Sequence, residues 1–192
     1  MGREFELKFA ATEAALSAIE TRFGKFAAIT METTYFDTPD RALSARHITL
    51  RRRMENGVSV CTLKTPTDGL GRGEWELERG SIEEAIPELC KLSKHPLLPA
   101  LLAPGVTPIC GARFLRKAKT VSLPNCTVEI ALDKGCLLGG GKELPLCEVE
   151  VELKDGPEDA AVAFAKALAA EFGLQSEPKS KFKRAAELAN SP

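Results

Sequence analysis

The chain has 192 residues, and its 26 Lys plus Arg against 27 Asp plus Glu give a formal net charge of −1. Hydrophobic residues make up 44% and charged residues 28%, a globular balance that excludes a disordered or low-complexity chain and favours one domain over residues 1–192. No apolar run approaches the ~20 residues of a membrane span, and the charge balance argues against general nucleic-acid binding. Residues 1–4 begin no signal peptide, and the six cysteines form no CxxC pair. We therefore expect a cytoplasmic protein without membrane or nucleic-acid partners.

In chain order, alternation and turn signals predict about eight strands with helices between them. The strands are expected over residues 3–9, 33–37, 47–54, 58–64, 72–78, 109–121, 126–132 and 146–153. Thr12 and Gly24 delimit the first helix, a second helical segment lies within 81–104, and C-terminal helices lie within 157–190. This mixture of strands and helices predicts an α+β domain.

Charged and apolar residues alternate in at least five of these segments. For a single strand, the simplest interpretation is an antiparallel sheet with one face in water. The repetition of the pattern, the few residue types at its charged positions, and the helices available to cover the apolar faces instead favour a closed barrel with a polar lumen. The lumen would hold nine acids and six bases: Glu4, Glu6, Glu74, Glu76, Glu129, Asp133, Glu148, Glu150 and Glu152, with Lys8, Arg51, Arg53, Lys64, Arg72 and Arg116.

A lumen of this composition calls for ligands as well as internal pairing. Unpaired buried charges are costly, so they must pair, bind a metal or meet a charged ligand. Carboxylates at positions i and i+2 of a strand point to one side, and pairs from two strands suit a hard cation such as Mg²⁺ or Mn²⁺. Arg and Lys side chains suit a multiply charged anion. A metal beside an anion held by bases is an arrangement used for phosphoryl chemistry.

Several motifs together resemble the CYTH domains, also called triphosphate tunnel metalloenzymes. Residues 4–8, with the sequence EFELK, resemble the ExExK signature that opens these domains. Further matching segments follow in the family's order: residues 34–40, 50–53, 62–64, 72–74, 129–133 and 148–152, together with Leu43, Arg116, Ser180, Lys181 and Arg184. The resemblance is closest to bacterial inorganic triphosphatase-like members. It implies a closed eight-stranded antiparallel β-barrel, the triphosphate tunnel, with helices packed outside.

The resemblance and the charge pattern together suggest a role for each lumen residue. A divalent metal, Mg²⁺ or Mn²⁺, would be held by Glu4, Glu6, Glu148, Glu150 and Glu152. The triphosphate or polyphosphate anion would be held by Lys8, Arg51, Arg53, Lys64, Arg72, Arg116, Lys181 and Arg184. The candidates for catalytic action on the attacking water are Glu74, Glu76, Glu129 and Asp133. Alternation places Arg52 on the face opposite Arg51 and Arg53, away from the lumen.

The predicted function is metal-dependent hydrolysis of a triphosphate, with inorganic triphosphate as the favoured substrate. Tyr35 and Trp75 are the only aromatic residues besides Phe, which leaves little for an organic-group pocket. Thiamine triphosphatase, class IV-type adenylate cyclase and a non-catalytic polyphosphate- or nucleotide-binding module are the alternatives. The sequence leaves open the choice of metal, the oligomeric state, and whether the chain is excised from a longer protein with a helical CHAD domain.

Overall fold

The structure is a computed structural model that describes residues 5–66 and 72–191, without the side chain of Arg72. Its strands are β1 (Glu6–Ala10), β2 (Ala27–Asp37), β3 (Thr49–Glu55), β4 (Val58–Pro66), β5 (Arg72–Glu78), β6 (Thr107–Ser122), β7 (Thr127–Gly139), β8 (Lys142–Asp155) and β9 (Gln175–Ser176). Its α-helices are α1 (Glu13–Phe23), α2 (Ile82–Ser93), α3 (Leu98–Leu102), α4 (Glu158–Phe172) and α5 (Lys181–Asn190), and a 3₁₀ turn spans Ser44–Arg46.

Every described strand belongs to one antiparallel sheet, in the order β5-β4-β3-β2-β6-β7-β8-β1-β9. The prediction of a closed eight-stranded barrel is wrong, because within the described residues no ladder joins the edge strand β5 to β1 or β9. The free side of β1 is covered by β9, which pairs with Phe9 and Ala10. Alternation reports which face a side chain takes, but it carries no signal for whether the two edges of a sheet meet.

The sheet curves, so that side chains of β1, β3, β5 and β8 line one cavity on its concave face. On the convex face, α1 and α4 pack on β1, β7 and β8 around Ile19, Val149 and Ala165. A second apolar cluster joins α2 and α3 to β3 and β4 around Leu50 and Leu89. The apolar positions of the alternating strands supply both clusters, which leaves their charged positions to the concave face.

Helix α5 packs on the concave face, which corrects the prediction that the helices all lie outside. The hydroxyl of Ser180 caps its first turn by accepting a hydrogen bond from the backbone N–H of Lys183 (3.1 Å). Phe182 and Ala185 follow at helical spacing and pack with Tyr35 of β2. The rings of Tyr35 and Phe182 lie 5.0 Å apart. This packing brings the first turn of α5 to the cavity.

Strands β6, β7 and β8 are longer than predicted, with 16, 13 and 14 residues. The predicted seventh strand ended at residue 132, whereas β7 continues through Gly135 to Gly139. In the structure Gly135 lets β6 and β7 approach closely, since a Cβ at this position would clash with the backbone carbonyl of Arg113. The continuous ladder places Asp133 directly opposite Glu148.

No helix within residues 5–66 and 72–191 is long and apolar enough to cross a membrane.

All six cysteines are free thiols. Burial raises the pKa of the Cys110 thiol to about 12, so this thiol is protonated at neutral pH.

The carboxylate of Asp37, at the end of β2, organises the loop that follows. Asp37 is fully buried, and its Oδ1 atom accepts hydrogen bonds from the backbone N–H groups of Thr38 (2.8 Å) and Leu43 (3.0 Å). Its Oδ2 atom accepts hydrogen bonds from the backbone N–H (3.1 Å) and the hydroxyl of Ser44. The loop in turn leads Leu43 and Ile48 into the apolar cluster under α2.

Asp37→Ala should lower the free energy of unfolding by about 3 kcal/mol or more, because each buried donor left without a partner costs about 1–3 kcal/mol. Urea unfolding of the purified protein measures this loss. Asp40→Ala is the matched control, since Asp40 is exposed and accepts a hydrogen bond from the Thr38 hydroxyl. Equal urea midpoints for the two variants would contradict the organising role of Asp37.

Candidate active site

A cavity with two adjoining chambers lies on the concave face, between the sheet and α5. The first chamber has a volume of about 510 Å³. The predicted site residues on its wall are Glu6, Lys8, Arg51, Arg53, Lys64, Glu74, Arg116, Glu150, Glu152 and Lys181. The second chamber, of about 600 Å³, shares part of this wall and adds Glu76 and Glu129. The structure therefore brings most of the predicted residues together around one cavity.

The other predicted residues fall into two groups. Asp133, Glu148 and Arg184 form ion pairs beneath the wall of the first chamber. Glu4 and the side chain of Arg72 lie outside the described part of the chain.

Three carboxylates meet where β7, β8 and α5 come together. Asp133 and Glu148 are fully buried and Glu150 nearly so. One oxygen from each lies within 4.8 Å of the others, a spacing that suits a metal ion. In the structure the ammonium group of Lys181 contacts all three, at 2.8 Å from Asp133 and 2.7 Å from Glu150. The three N–H donors of a lysine match three carboxylate acceptors.

Two arginines complete this group, which we call the Lys181 cluster (Asp133, Glu148, Glu150, Arg116, Lys181 and Arg184). Arg116 donates hydrogen bonds to both oxygens of Asp133 (2.8 and 2.7 Å) and also pairs with Glu150. Arg184 pairs with Glu148. Three carboxylates thus face three cations, and a buried group of charges is tolerated when each has close partners of opposite sign.

The two neighbouring glutamates of the Lys181 cluster differ in the direction of their pKa shifts. Burial holds the pKa of Glu148 above its ordinary value, against the attraction of Lys181. Burial also raises the pKa of Glu150, but the positive charges of Lys181 and Arg116 outweigh it, so the net shift is downward. Glu150 therefore presents an ionised carboxylate at the wall of the first chamber.

A second set of carboxylates, the acidic row (Glu6, Glu152 and Glu129), crosses β1, β8 and β7. The strand register places Glu6 directly opposite Glu152, and Glu152 directly opposite Glu129. Side chains at such positions are close neighbours, and like charges there are destabilising. Glu150 lies two residues before Glu152, on the same face of β8. Hard oxygen donors in this arrangement fit Mg²⁺ or Mn²⁺.

A cationic wall (Arg51, Arg53 and Lys64) is formed by β3 and β4. It shares the first chamber with Glu6 and Glu152 of the acidic row, and Arg51 and Arg53 share the second chamber with Glu129. Lys64 Nζ lies 3.1 Å from Glu74, and Arg51 lies 3.7 Å from Glu74 and from Glu76. Burial and the charge of Arg51 lower the pKa of Arg53. An anion bound between these guanidinium groups would relieve their repulsion.

Sequence reasoning missed Glu55 and Lys154, which both line the second chamber. Glu55 pairs with Arg53, and Lys154 Nζ lies 2.8 Å from Glu152. In each case the alternation of the strand, continued by one more step, would have indicated the residue. Tyr35 lines the first chamber from β2, whose inward positions are uncharged and therefore gave no such signal.

The CYTH domain family model matches residues 2–186, and the chain therefore belongs to the CYTH family. The inorganic triphosphatase of Haemophilus influenzae (strain ATCC 51907 / DSM 11121 / KW20 / Rd) is 30% identical over 96% of this chain, and the match covers 54% of that protein. The chain thus spans about half the length of this curated relative.

Two solved structures show the same fold over nearly the whole chain. A Hippeastrum protein named as a candidate adenylyl cyclase, with a reported dominant triphosphatase activity, has a TM-score of 0.69 at 16% identity, and the match covers 100% of this chain and 98% of that one. A candidate adenylate cyclase from Bacillus halodurans has a TM-score of 0.58 at 18% identity, with 94% of this chain and 96% of that one covered.

Proposed function

We propose that this chain hydrolyses a triphosphate in a metal-dependent reaction, with inorganic triphosphate as the substrate and diphosphate and phosphate as the products. The observation that carries the proposal is the meeting of the acidic row and the cationic wall around one cavity. A linear polyanion fits this arrangement, because one part of it can meet a metal at the carboxylates while the rest contacts the guanidinium groups. The 30% identity to an inorganic triphosphatase supports the same substrate class.

The proposed metal ligands on the described strands are Glu6, Glu150 and Glu152. Glu4, which belongs to the same motif as Glu6, lies outside the described residues and stays a predicted ligand. The carboxylates of Glu6, Glu150 and Glu152 come from the adjacent strands β1 and β8 and line the first chamber. A bound Mg²⁺ or Mn²⁺ would polarise a phosphoryl oxygen and lower the pKa of water. The protein's part is to hold the carboxylates on neighbouring strands, so that they need little rearrangement to bind an ion.

Glu148 was predicted as a further ligand, but both its oxygens are engaged. One contacts Lys181 and the other contacts Arg184. We propose that Glu148 anchors α5 to the sheet and thereby fixes Lys181 at the wall of the first chamber, where the lysine also remains a candidate contact for the substrate.

The anion is proposed to contact the positive residues of the cavity wall, which are Lys8, Arg51, Arg53, Lys64 and Arg116. Arg72, whose side chain lies outside the described part of the chain, stays a predicted contact. Arginine offers paired N–H donors that match phosphate oxygens, whereas lysine supplies a compact charge. Because these residues come from different strands, they fix the direction of the phosphate chain as well as its position. Such positioning holds the terminal phosphorus near the carboxylates, which lowers the barrier to attack by water.

The attacking water needs a carboxylate that can accept its proton. Glu74, Glu76 and Glu129 all line the second chamber and are therefore accessible to water. Asp133 is fully buried and has both oxygens bound within the Lys181 cluster, which makes it the weakest of the four predicted candidates. We propose that one of the three accessible glutamates orients or deprotonates the water.

Phosphate release from inorganic triphosphate, ATP, thiamine triphosphate and long-chain polyphosphate, each with Mg²⁺, Mn²⁺ or excess EDTA, tests the proposal. We expect the fastest release from inorganic triphosphate and none in EDTA. Cyclic product from ATP, or faster hydrolysis of thiamine triphosphate, would assign the chain to those activities instead. Tight triphosphate binding without turnover would indicate a non-catalytic binding module.

The cytoplasmic location and the single-domain organisation of residues 1–192 stay predictions.

Arg51→Ala and Arg53→Ala should each weaken triphosphate binding about tenfold to a hundredfold, because losing a charge-assisted phosphate contact costs ~1.5–3 kcal/mol. Arg52→Ala is the control on the same strand, since Arg52 is absent from the described cavity wall and donates a hydrogen bond to the Gly80 carbonyl (3.4 Å). Calorimetric titration with triphosphate compares the three variants. Equal losses of affinity would show that the cationic wall does not select the anion.

A further inference from the structure

Lys154, near the end of β8, contacts the acidic row. Its ammonium nitrogen lies 2.8 Å from Glu152 Oε2 and 3.6 Å from Glu129 Oε1. Its side chain is 38% exposed and forms part of the wall of the second chamber. Lys154 therefore holds a positive charge against two carboxylates that the strand register places directly opposite each other.

The backbone of β8 is irregular at this residue. Leu153 pairs with Val128 and Asp155 pairs with Thr127, so Lys154 is the extra residue of a β-bulge in the β7–β8 ladder. Lys154 follows Glu152 by two residues on β8, so the alternation of the strand already directs its side chain to the face that carries the acidic row. The local backbone, and not charge attraction alone, thus places the lysine over the acidic row.

The acidic row needs positive charge whenever no divalent cation is bound. Glu152 stands between Glu6 and Glu129, and like charges at directly opposed positions destabilise a sheet. Lys8 Nζ lies 3.5 Å from Glu6 at one end of the row, and Lys154 serves the other end.

We propose that Lys154 is a built-in counter-ion of the metal site, which neutralises Glu152 and Glu129 in the metal-free protein and is displaced when a divalent cation binds there. This inference rests on the metal site of the proposed function. Lys181 provides the contrast, because its side chain is 10% exposed and is held by three carboxylates. Lys154 is held by two and lies partly in solvent, so its side chain can swing away and keep its charge hydrated. Its competition makes the metal bind more weakly than the carboxylates alone would allow.

Calorimetric titration of Mn²⁺ into the phosphate-free protein tests this competition. Lys154→Met should bind Mn²⁺ about fivefold more tightly than the wild type, which corresponds to ~1 kcal/mol for one partly exposed charge. The metal-free variant should also unfold at a lower temperature, because the acidic row then repels itself. Lys154→Arg keeps the charge and should behave as the wild type does. Lys166→Met, at an exposed position of α4, is the control for removing a surface lysine.

The inference requires tighter metal binding and a less stable metal-free state in the same variant. If the wild type binds Mn²⁺ and Lys154→Met binds it equally or more weakly, the inference is overturned and the proposed function stands. A wild-type protein that binds neither Mn²⁺ nor Mg²⁺ would refute the metal site, and the inference with it. Weaker metal-free binding of triphosphate by Lys154→Met, at unchanged Mn²⁺ affinity, would assign the lysine to the anion and also overturn the inference.

Discussion

Glu6→Gln and Glu152→Gln should each lower triphosphate turnover by about a hundredfold or more. Each substitution removes one carboxylate charge from the acidic row at nearly constant volume, so it weakens the metal contact and leaves the packing intact. Metal contacts contribute several kcal/mol to phosphoryl transition states, and each ~1.4 kcal/mol is a factor of ten in rate. Phosphate release at increasing Mn²⁺ concentrations is the measurement, and high Mn²⁺ should restore part of the lost activity because the affinity is what falls.

Glu143→Gln is the control for these variants, because Glu143 lies on β8 like Glu152 but is exposed and pairs with Arg113 (2.7 Å). All three variants should unfold at temperatures near that of the wild type. Full activity of Glu6→Gln or Glu152→Gln at low Mn²⁺ would contradict their assignment as metal ligands.

Lys181→Met should lower the free energy of unfolding by about 3 kcal/mol, since removing one partner from a buried ion pair leaves a charge without compensation. The Lys181 cluster would then hold three carboxylates against two arginines. For a protein of this size, that loss lowers the midpoint of thermal unfolding by about 6–12 °C. Lys183→Met is the matched control, because Lys183 lies on the same helix at an exposed position.

A second substitution separates charge balance from packing in the Lys181 cluster. The double variant Lys181→Met/Glu148→Gln loses one negative charge as well, so part of the lost stability should return. Equal unfolding midpoints for Lys181→Met and Lys183→Met would show that the cluster does not hold α5 to the sheet.

Alternation along single strands predicted the faces of the sheet, because a period of two is a property of the local backbone. Arg51, Arg53 and Glu6 accordingly line the same cavity. Closure of the sheet depends instead on strands that are far apart in the sequence, and the predicted barrel failed at that step. The two residues of β9, Gln175 and Ser176, are too few to show any alternation, yet they occupy the free edge of β1.

The sequence identified the charged residues of the site but not their partners. Lys181 and Arg116 were both assigned to the triphosphate, whereas both also contact Glu150 in the structure. The Lys181 contact depends on α5 docking on the concave face, which no strand pattern contains, whereas the Arg116 contact joins β6 to β8 across the sheet. Lys154 was missed because the predicted strand ended at residue 153, one position before this lysine.

The position of β1 beside β8 also sets the order in which the molecule can acquire its site during folding. Glu6 comes from the start of the sequence, whereas Glu152 and Glu129 come from its last third, so the acidic row forms only after the intervening strands have been arranged. Contacts between such distant segments form late, because the entropy of closing a long loop is lost before the contacts compensate for it. A chain still emerging from the ribosome therefore carries the carboxylate of Glu6 without its partners. Divalent cations would accordingly stabilise the finished fold and contribute little to its early steps.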